Sequence, residues 1–295
     1  MPLRPPPDER SPNALLEFGV VLLDKPAGPT SHQVSEWVGD LCDVTNTGHG
    51  GTLDPSVTGC LPVMLGSATR LTSVLAGGTK EYVAILELHD DPPAAWREVI
   101  ASFEGDLYQR PPRKSAVARR MRIRRVDELE VIERADRRLL LRIVCEAGTY
   151  VRKLCHDLGL AMGTGGHMAA LRRTMTTPFT DADLVSLHDL ADGVAYWRED
   201  GDEAALRAVV QPGEAAIAHL PEVTITRNTA AAVANGAPVY APGIVAMNDG
   251  LLPGGDPPPL VRCATPSGSA VCLGRLVADT DVASGPVVDL ERVLV

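Results

Sequence analysis

The stretch from Gly48 to Leu61 constrains this chain more than any other, because it determines how one carboxylate is presented. It reads Gly-His-Gly-Gly-Thr-Leu-Asp-Pro-Ser-Val-Thr-Gly-Cys-Leu, with Asp54 between a glycine-rich approach and Pro55. Glycine permits positive φ, and proline fixes its own φ and biases the preceding residue away from the helical region. The stretch therefore predicts a packed loop that directs a single side chain. The alternative, favoured by composition alone, is an ordinary turn whose carboxylate bonds its own backbone.

Length and composition indicate a large domain with a smaller one. The 295 residues are 45% hydrophobic, which is enough for a core. No apolar run reaches the roughly 18 residues of a membrane span, and the polar, proline-rich N-terminus lacks the apolar core of a signal peptide. The cysteines form no C-x-x-C pair, so we expect reduced thiols in a cytoplasmic protein and no metal site.

The charge is unevenly distributed. The net charge is −10, which argues against a nucleic-acid partner, but residues 110–125 contain many basic side chains and no acid. An acidic, lysine-poor surface is expected of a protein that stays soluble in concentrated salt, although a GC-rich genome also favours arginine over lysine. Because salt weakens phosphate contacts steeply, binding under such conditions would depend on shape, stacking and many arginines.

Hydrophobic patterns predict a mixed α+β fold with a β-rich tail. The residues from Gly105 to Ala118 have a loop-like composition. After Leu220, short β-like runs alternate with Gly/Pro/Asn/Asp turns, as in a small β-barrel or sandwich. The predicted strands before this point are 18–23, 61–65, 80–88, 122–134, 137–145 and 171–174, and the predicted helices are 32–41, 68–75, 93–103, 148–159, 186–195 and 203–210.

Several common catalytic motifs are missing from the sequence, including the P-loop, the dinucleotide fingerprint, H-E-x-x-H and G-x-S-x-G. Four other motifs remain: the Asp54 loop, Lys-Glu-Tyr at 80–82, Tyr-Gln-Arg-Pro-Pro-Arg-Lys-Ser-Ala-Val at 108–117, and Cys-Glu-Ala-Gly-Thr-Tyr-Val-Arg-Lys-Leu-Cys-His-Asp-Leu-Gly at 145–159. In order and spacing they resemble the TruB/dyskerin family of pseudouridine synthases. Leu-Asp-Lys-Pro-Ala-Gly-Pro-Thr-Ser-His at 23–32 is most similar to the archaeal and eukaryotic branch, and the acidic composition fits a haloarchaeal member.

The resemblance covers about Phe18 to Leu220 and implies the architecture. It implies a mostly antiparallel central sheet flanked by helices, the pseudouridine synthase fold, followed by a small β-barrel PUA RNA-binding domain. We therefore expect an N-terminal arm at 1–13, a catalytic domain at 14–219 and a PUA domain at 220–295.

The resemblance also implies an activity and three catalytic residues. Specific uridines of RNA would be isomerised to pseudouridine without a cofactor. Asp54 matches the family's nucleophile, and Arg152 the arginine that pairs with it. We expect the catalytic carboxylate to be buried, and a buried carboxylate needs such a fixed cation beside it to stay ionised. Tyr82 matches the tyrosine that stacks on the flipped base and handles a proton. Read without the family, Arg152 would be a surface helix residue and Tyr82 a core strand residue.

Further positions match RNA-binding roles. His49 lies where the family has a histidine near the space left by the flipped base, although a lone histidine is more often structural. Leu171 matches a residue lining the uracil pocket, with core packing an equally good account, and Lys25 is a candidate backbone contact. A solvated charged loop is the alternative for the basic stretch, whose expected phosphate contacts are Arg110, Arg113, Lys114, Arg119 and Arg120.

Partners and departures complete the expectations. Archaeal relatives work in box H/ACA guide ribonucleoproteins with small partner proteins and also modify the T-loop uridine of tRNA, so tRNA, rRNA and guide RNA are expected partners. A stand-alone tRNA synthase of the bacterial mode and a non-catalytic RNA-binding scaffold are the alternatives.

Gly50 stands where the family more often has serine or threonine, and Ser56 where archaeal relatives often have lysine. Both departures leave the carboxylate in place.

Overall fold

The computed structural model describes residues 3–111, 120–248, 250–282 and 284–295. Within these ranges the chain forms two β-sheets with helices packed against them, and no helix there is long and apolar enough to cross a membrane. The helices are α1 (Pro12–Glu17), α2 (Ser31–Cys42), α3 (Thr72–Gly77), α4 (Trp96–Ala101), α5 (Val151–Ala161), α6 (Leu187–Asp200), α7 (Glu203–Val209) and α8 (Arg227–Ala234).

The first sheet contains ten of the strands in the described ranges, in the order β10-β1-β3-β8-β4-β7-β6-β5, with β2 beside β3 and β9 beside β8. Only the β3–β8 pairing is parallel among the pairings within this sheet. The predicted α+β, mostly antiparallel fold is confirmed. The strands are β1 (Gly19–Lys25), β2 (Thr47–His49), β3 (Thr58–Leu65), β4 (Lys80–Leu88), β5 (Gly105–Gln109), β6 (Arg122–Ala135), β7 (Arg138–Cys145), β8 (Gly166–Thr176), β9 (Phe179–Thr180) and β10 (Gln211–Pro212).

The middle of this sheet brings distant segments together. The parallel pairing of β3 with β8 sets Thr58 opposite Arg172 and Gly59 opposite Arg173. On the other side of β8, the antiparallel β4 sets Tyr82 opposite Arg173. The loop that precedes β3 therefore lies next to the centre of β8 and β4, although these segments are far apart in sequence.

The second sheet follows the order β12-β16-β15-β14-β11-β13. Its outermost strands, β12 and β13, are joined by a short 3-10 turn at Ala241–Gly243, so the two edges of the sheet come close and the sheet is nearly closed into a small barrel. Its described strands are β11 (Glu222–Ile225), β12 (Val239–Tyr240), β13 (Ile244–Met247), β14 (Leu260–Ala264), β15 (Ala270–Leu276) and β16 (Pro286–Val293).

The N-terminal segment, where we expected an arm over residues 1–13, is anchored by a buried ion pair. Arg10 is fully buried and forms a bidentate ion pair with Glu214, in which its two guanidinium Nη atoms donate to the two carboxylate oxygens at 2.6 and 2.7 Å. The same carboxylate accepts a hydrogen bond from the backbone N–H of Ala270 in β15. A buried guanidinium needs such a counter-charge, so the segment is fixed between the two sheets.

Some elements were not expected. Residues 105–109 form an edge strand, β5, where the composition suggested a loop, and β8 is longer than the predicted strand. In the tail, α8 and β16 were missed. The Ala-rich sequence of α8, with Thr226 accepting from the N–H of Thr229 at its start, is itself favourable to a helix.

Candidate active site

The Asp54 loop is packed against the core as its sequence predicted. It connects β2 to β3, and Gly51 adopts φ +126°, a value that side chains other than glycine rarely tolerate. Leu53 and Val57, on either side of Asp54, are 4% and 2% exposed. Burying such side chains contributes about 1.5–3 kcal/mol each, so the apolar residues hold the loop while Asp54 stays accessible.

Hydrogen bonds fix the loop backbone. The Ser31 hydroxyl, at the start of α2, accepts from the N–H of Leu53 at 2.8 Å and donates to its carbonyl at 3.1 Å. The Lys25 ammonium donates to the carbonyls of Pro55 and Val57, at 3.2 and 2.9 Å. Gly28 donates to the Pro55 carbonyl at 2.8 Å. The direction of the Asp54 side chain is therefore set by its neighbours.

Asp54 forms an ion pair with Arg152, in the first turn of α5. The Asp54 side chain is 46% exposed and that of Arg152 43% exposed. We expected a buried carboxylate, but the pair stands at the mouth of a cavity and remains open to solvent. The carboxylate and its guanidinium partner therefore stand at a position that a ligand can reach.

One cavity of about 420 Å³ brings the three expected catalytic residues together, since Asp54, Tyr82 and Arg152 all line it. Leu171 lines it too, one strand away from Tyr82. Burial raises the pKa of the Tyr82 hydroxyl, an effect that the nearby Arg173 guanidinium reduces by charge and by a hydrogen bond. Tyr82 thus stays protonated at neutral pH, with its hydroxyl held beside the cavity.

Arg173 is a residue of the site that our sequence reasoning missed. It is 1% exposed, and its guanidinium donates to the carbonyls of Cys60 and Gly51, at 2.8 and 3.0 Å, in addition to the Tyr82 bond. It therefore joins β3, the Asp54 loop and the tyrosine of β4. The only sequence signal was strand alternation in Leu-Arg-Arg, which requires one arginine to face inward.

Lys80 is the second missed lining residue. It is 4% exposed and donates to the carbonyls of Leu75 and Gly78, the first at 2.8 Å. Desolvation by burial, together with the charge of Arg173, lowers its pKa to about 8. Its ammonium caps the C-terminal end of α3, and its side chain lines the cavity.

The predicted RNA contact of Lys25 is corrected by the structure. Its side chain is fully buried, burial lowers its pKa, and its ammonium donates to the carbonyls of Pro26, Pro55 and Val57, the last two in the loop. It cannot reach a phosphate without leaving these bonds, so it supports the loop instead.

The other predicted RNA-binding residues differ in whether they are buried, exposed or outside the described part of the chain. His49 ends β2 beside Arg173 but does not line the cavity. Burial, followed by the charge of Arg173, lowers its pKa, so His49 is neutral near pH 7. Arg110 and Arg120 are exposed. Arg113, Lys114 and Arg119 lie outside the described residues.

Gly50 has a packing reason for departing from the family pattern. A Cβ there would stand 3.0 Å from the Cβ of Leu75 and 3.6 Å from a methyl of Thr176. A serine at this position would crowd Leu75 of α3, which would have to move by a few tenths of an ångström. Ser56 is exposed beyond Asp54 and is free to vary in its side chain.

The fold and this geometry define a class: an α+β sheet with a nucleotide-sized pocket built around one loop carboxylate and its arginine. Family models agree with that class in three segments. Residues 40–94 match the TruB family pseudouridylate synthase N-terminal domain, residues 152–218 the tRNA pseudouridylate synthase B C-terminal domain, and residues 5–35 the DKCLD domain.

Relatives match over the whole chain. It is 58% identical to a probable tRNA pseudouridine synthase B of Halobacterium salinarum, covering 100% of both chains, and 46% identical to one of Pyrococcus abyssi, covering 98% and 87%. A solved structure of a Cbf5-Nop10-Gar1 complex superimposes with a TM-score of 0.90 at 44% identity, over 98% of this chain and 89% of that one. A structure of an H/ACA RNP bound to a substrate RNA superimposes with a TM-score of 0.90 at 41% identity, over 99% of this chain and 90% of that one. The chain belongs to the TruB/dyskerin family of pseudouridine synthases.

Proposed function

We propose that this protein isomerises specific uridines in RNA to pseudouridine, with the Asp54 carboxylate as nucleophile. The observation that carries the proposal is the convergence of Asp54, Arg152 and Tyr82 on one cavity of about 420 Å³. A nucleotide pulled out of its RNA strand fits a pocket of this size, whereas a base inside a duplex could not reach the carboxylate.

The isomerisation needs only groups that this pocket supplies. The bond between ribose C1′ and N1 of uracil breaks, the base rotates, and C1′ bonds to C5. The proton on C5 leaves and N1 takes one up, so atoms and charge balance without an oxidant or reductant. Asp54 forms the covalent intermediate, Arg152 keeps it ionised, and Tyr82 stacks on the base and lies within reach of the moving proton.

We propose two RNA contexts for this chemistry. The names of the relatives support tRNA, with the T-loop uridine as the expected position. The similarity to H/ACA complexes supports a role as catalytic subunit of a guide ribonucleoprotein acting on rRNA with small partner proteins. The nearly closed C-terminal sheet would serve as a PUA-type RNA-binding domain, and the six free, buried cysteines support action in a reducing cytoplasm.

Tritium release tests the activity directly, because the hydrogen on C5 of uridine is lost only when C5 bonds to the ribose. The protein is incubated with [5-³H]uridine-labelled tRNA, first alone and then with guide RNA and partner proteins. Wild type should release tritium, and Asp54→Asn should release none while binding RNA with near-normal affinity. Equal release by Asp54→Asn would remove the mechanism, and tight binding without release by wild type would favour the scaffold.

A further inference from the structure

A second cavity, of about 510 Å³, lies beside the first. Arg152 and Met168 line both cavities, so the second continues from the first past the ion pair. Its other polar lining residues are Arg110, Lys153, His156 and His167. The proposed reaction uses none of these four side chains.

The second cavity is built from one face of α5, the start of β8 and the chain after β5. Because Arg152 and His156 are four residues apart on α5, they lie on the same face of the helix. His167 bonds His89 through its Nδ1, at 3.2 Å between ring nitrogens. When His89 donates this bond, His167 carries its own proton on Nε2, the nitrogen left for a ligand.

The chemistry of the lining selects an anion. Its side chains supply N–H donors, and no Asp, Glu, Phe, Tyr or Trp is found among the described residues that line it. Lys153 is ion-paired with Asp157 and Arg152 with Asp54, so Arg110 and the two imidazoles remain as donors to an incoming group. Such a set suits phosphate oxygens, which accept several N–H donors at once, and the described lining includes no carboxylate to accept from a base.

We infer that this second cavity holds a phosphodiester of the RNA strand next to the uridine that enters the first cavity. The inference rests on the proposed function, because it takes the strand to run past Arg152 from one cavity to the other. The contact is independent of sequence: it fixes the strand on the enzyme and takes no part in bond making. Its loss should raise KM and Kd and leave kcat unchanged.

A binding cycle tests the inference. RNAs are made in which one phosphodiester at a time, on either side of the target uridine, is replaced by a neutral methylphosphonate. Kd is measured for wild type, for His156→Ala/His167→Ala, and for the control His188→Ala, an exposed histidine on α6 that lines neither cavity. Thermal unfolding establishes that each variant is folded. The double variant His156→Gln/His167→Gln serves as a second test of the same cavity.

For wild type and the control, neutralising one particular phosphate should weaken binding roughly tenfold, the equivalent of one charge-assisted hydrogen bond. The cavity variants should bind unmodified RNA more weakly than wild type and should lose less than wild type when that phosphate is neutralised, because only Arg110 remains to contact it. Equal losses at every phosphate, a loss as large in the cavity variants as in wild type, or a fall in kcat at unchanged Kd would overturn the inference. The tritium-release assay supplies kcat for each variant, and release by wild type decides the proposed function separately from the Kd values of the cycle.

Discussion

Replacing Arg152 by alanine should separate catalysis from stability. The Asp54–Arg152 pair is about half exposed on both sides, so water solvates whichever partner remains. We therefore expect a loss of only about 0–1 kcal/mol in the free energy of unfolding, not the 3–5 kcal/mol of a broken buried pair. For a chain of this size that is a fall in Tm of less than about 4 °C.

The effect on the reaction should be far larger. Arg152→Ala removes the fixed cation beside the carboxylate, and losing one such preorganised electrostatic group costs on the order of 10²–10³ in kcat. Arg152→Lys should recover part of the activity, since it keeps the charge and loses the planar fork. Single-turnover tritium release and thermal unfolding, both at one fixed salt concentration, measure the two effects.

Arg138→Ala is the matched control, because Arg138 forms a similarly exposed pair with Glu87. It lines neither cavity. It should cost about as much stability as Arg152→Ala and leave kcat unchanged. A fall in Tm of more than about 10 °C for Arg152→Ala, or activity within threefold of wild type, would refute the role that we assign to the pair.

Three further predictions concern buried charges. Arg173→Met should lower the free energy of unfolding by about 2–4 kcal/mol, because the carbonyls of Cys60 and Gly51 lose their hydrogen-bond donor. The control Arg172→Met removes a partly exposed ion pair and should cost less than about 1 kcal/mol, with both variants measured by denaturant unfolding. Equal losses would contradict this assignment. The lowered pKa of Lys80, about 8 against 10.5, means that the unfolded chain binds more protons between these values. The free energy of unfolding should therefore rise with pH across that window by about 3 kcal/mol more in wild type than in Lys80→Met, and parallel profiles would show that Lys80 does not titrate there. Glu214→Gln should cost about 3–5 kcal/mol by leaving buried Arg10 without a counter-charge, and a change below about 1 kcal/mol in thermal unfolding would disprove it.

The sequence predicted the strands whose patterns are local. Lys80–Leu88 has the bounds expected from its alternation, with Ala84 and Leu86 on the buried face. The Asp54 loop was predicted to be packed because its apolar residues stand next to the glycines. In both cases the information lies within a few residues of the element that it specifies.

Burial of basic side chains could not be predicted in the same way. Lysine and arginine are seldom fully buried, and burial becomes favourable only when partners surround the charge. Besides the adjacent Pro26, the partners of Lys25 lie 30 and 32 positions away, and the carbonyl partners of Arg173 lie 113 and 122 positions away. A single sequence carries no signal for such pairings, so a surface role was the reasonable but wrong expectation for Lys25.

These buried cations explain how the site can be open and still be ordered. The loop is fixed by Lys25, Ser31 and Arg173, all of which act on its backbone carbonyls or N–H groups. None of them bonds the Asp54 carboxylate, which has Arg152 as its ion-pair partner within the described part of the chain. Orientation and reactivity are therefore assigned to different residues. Because the orienting bonds are buried and the pair that we propose to react is half exposed, a substrate can enter and rearrange the pair without loosening the loop that presents it.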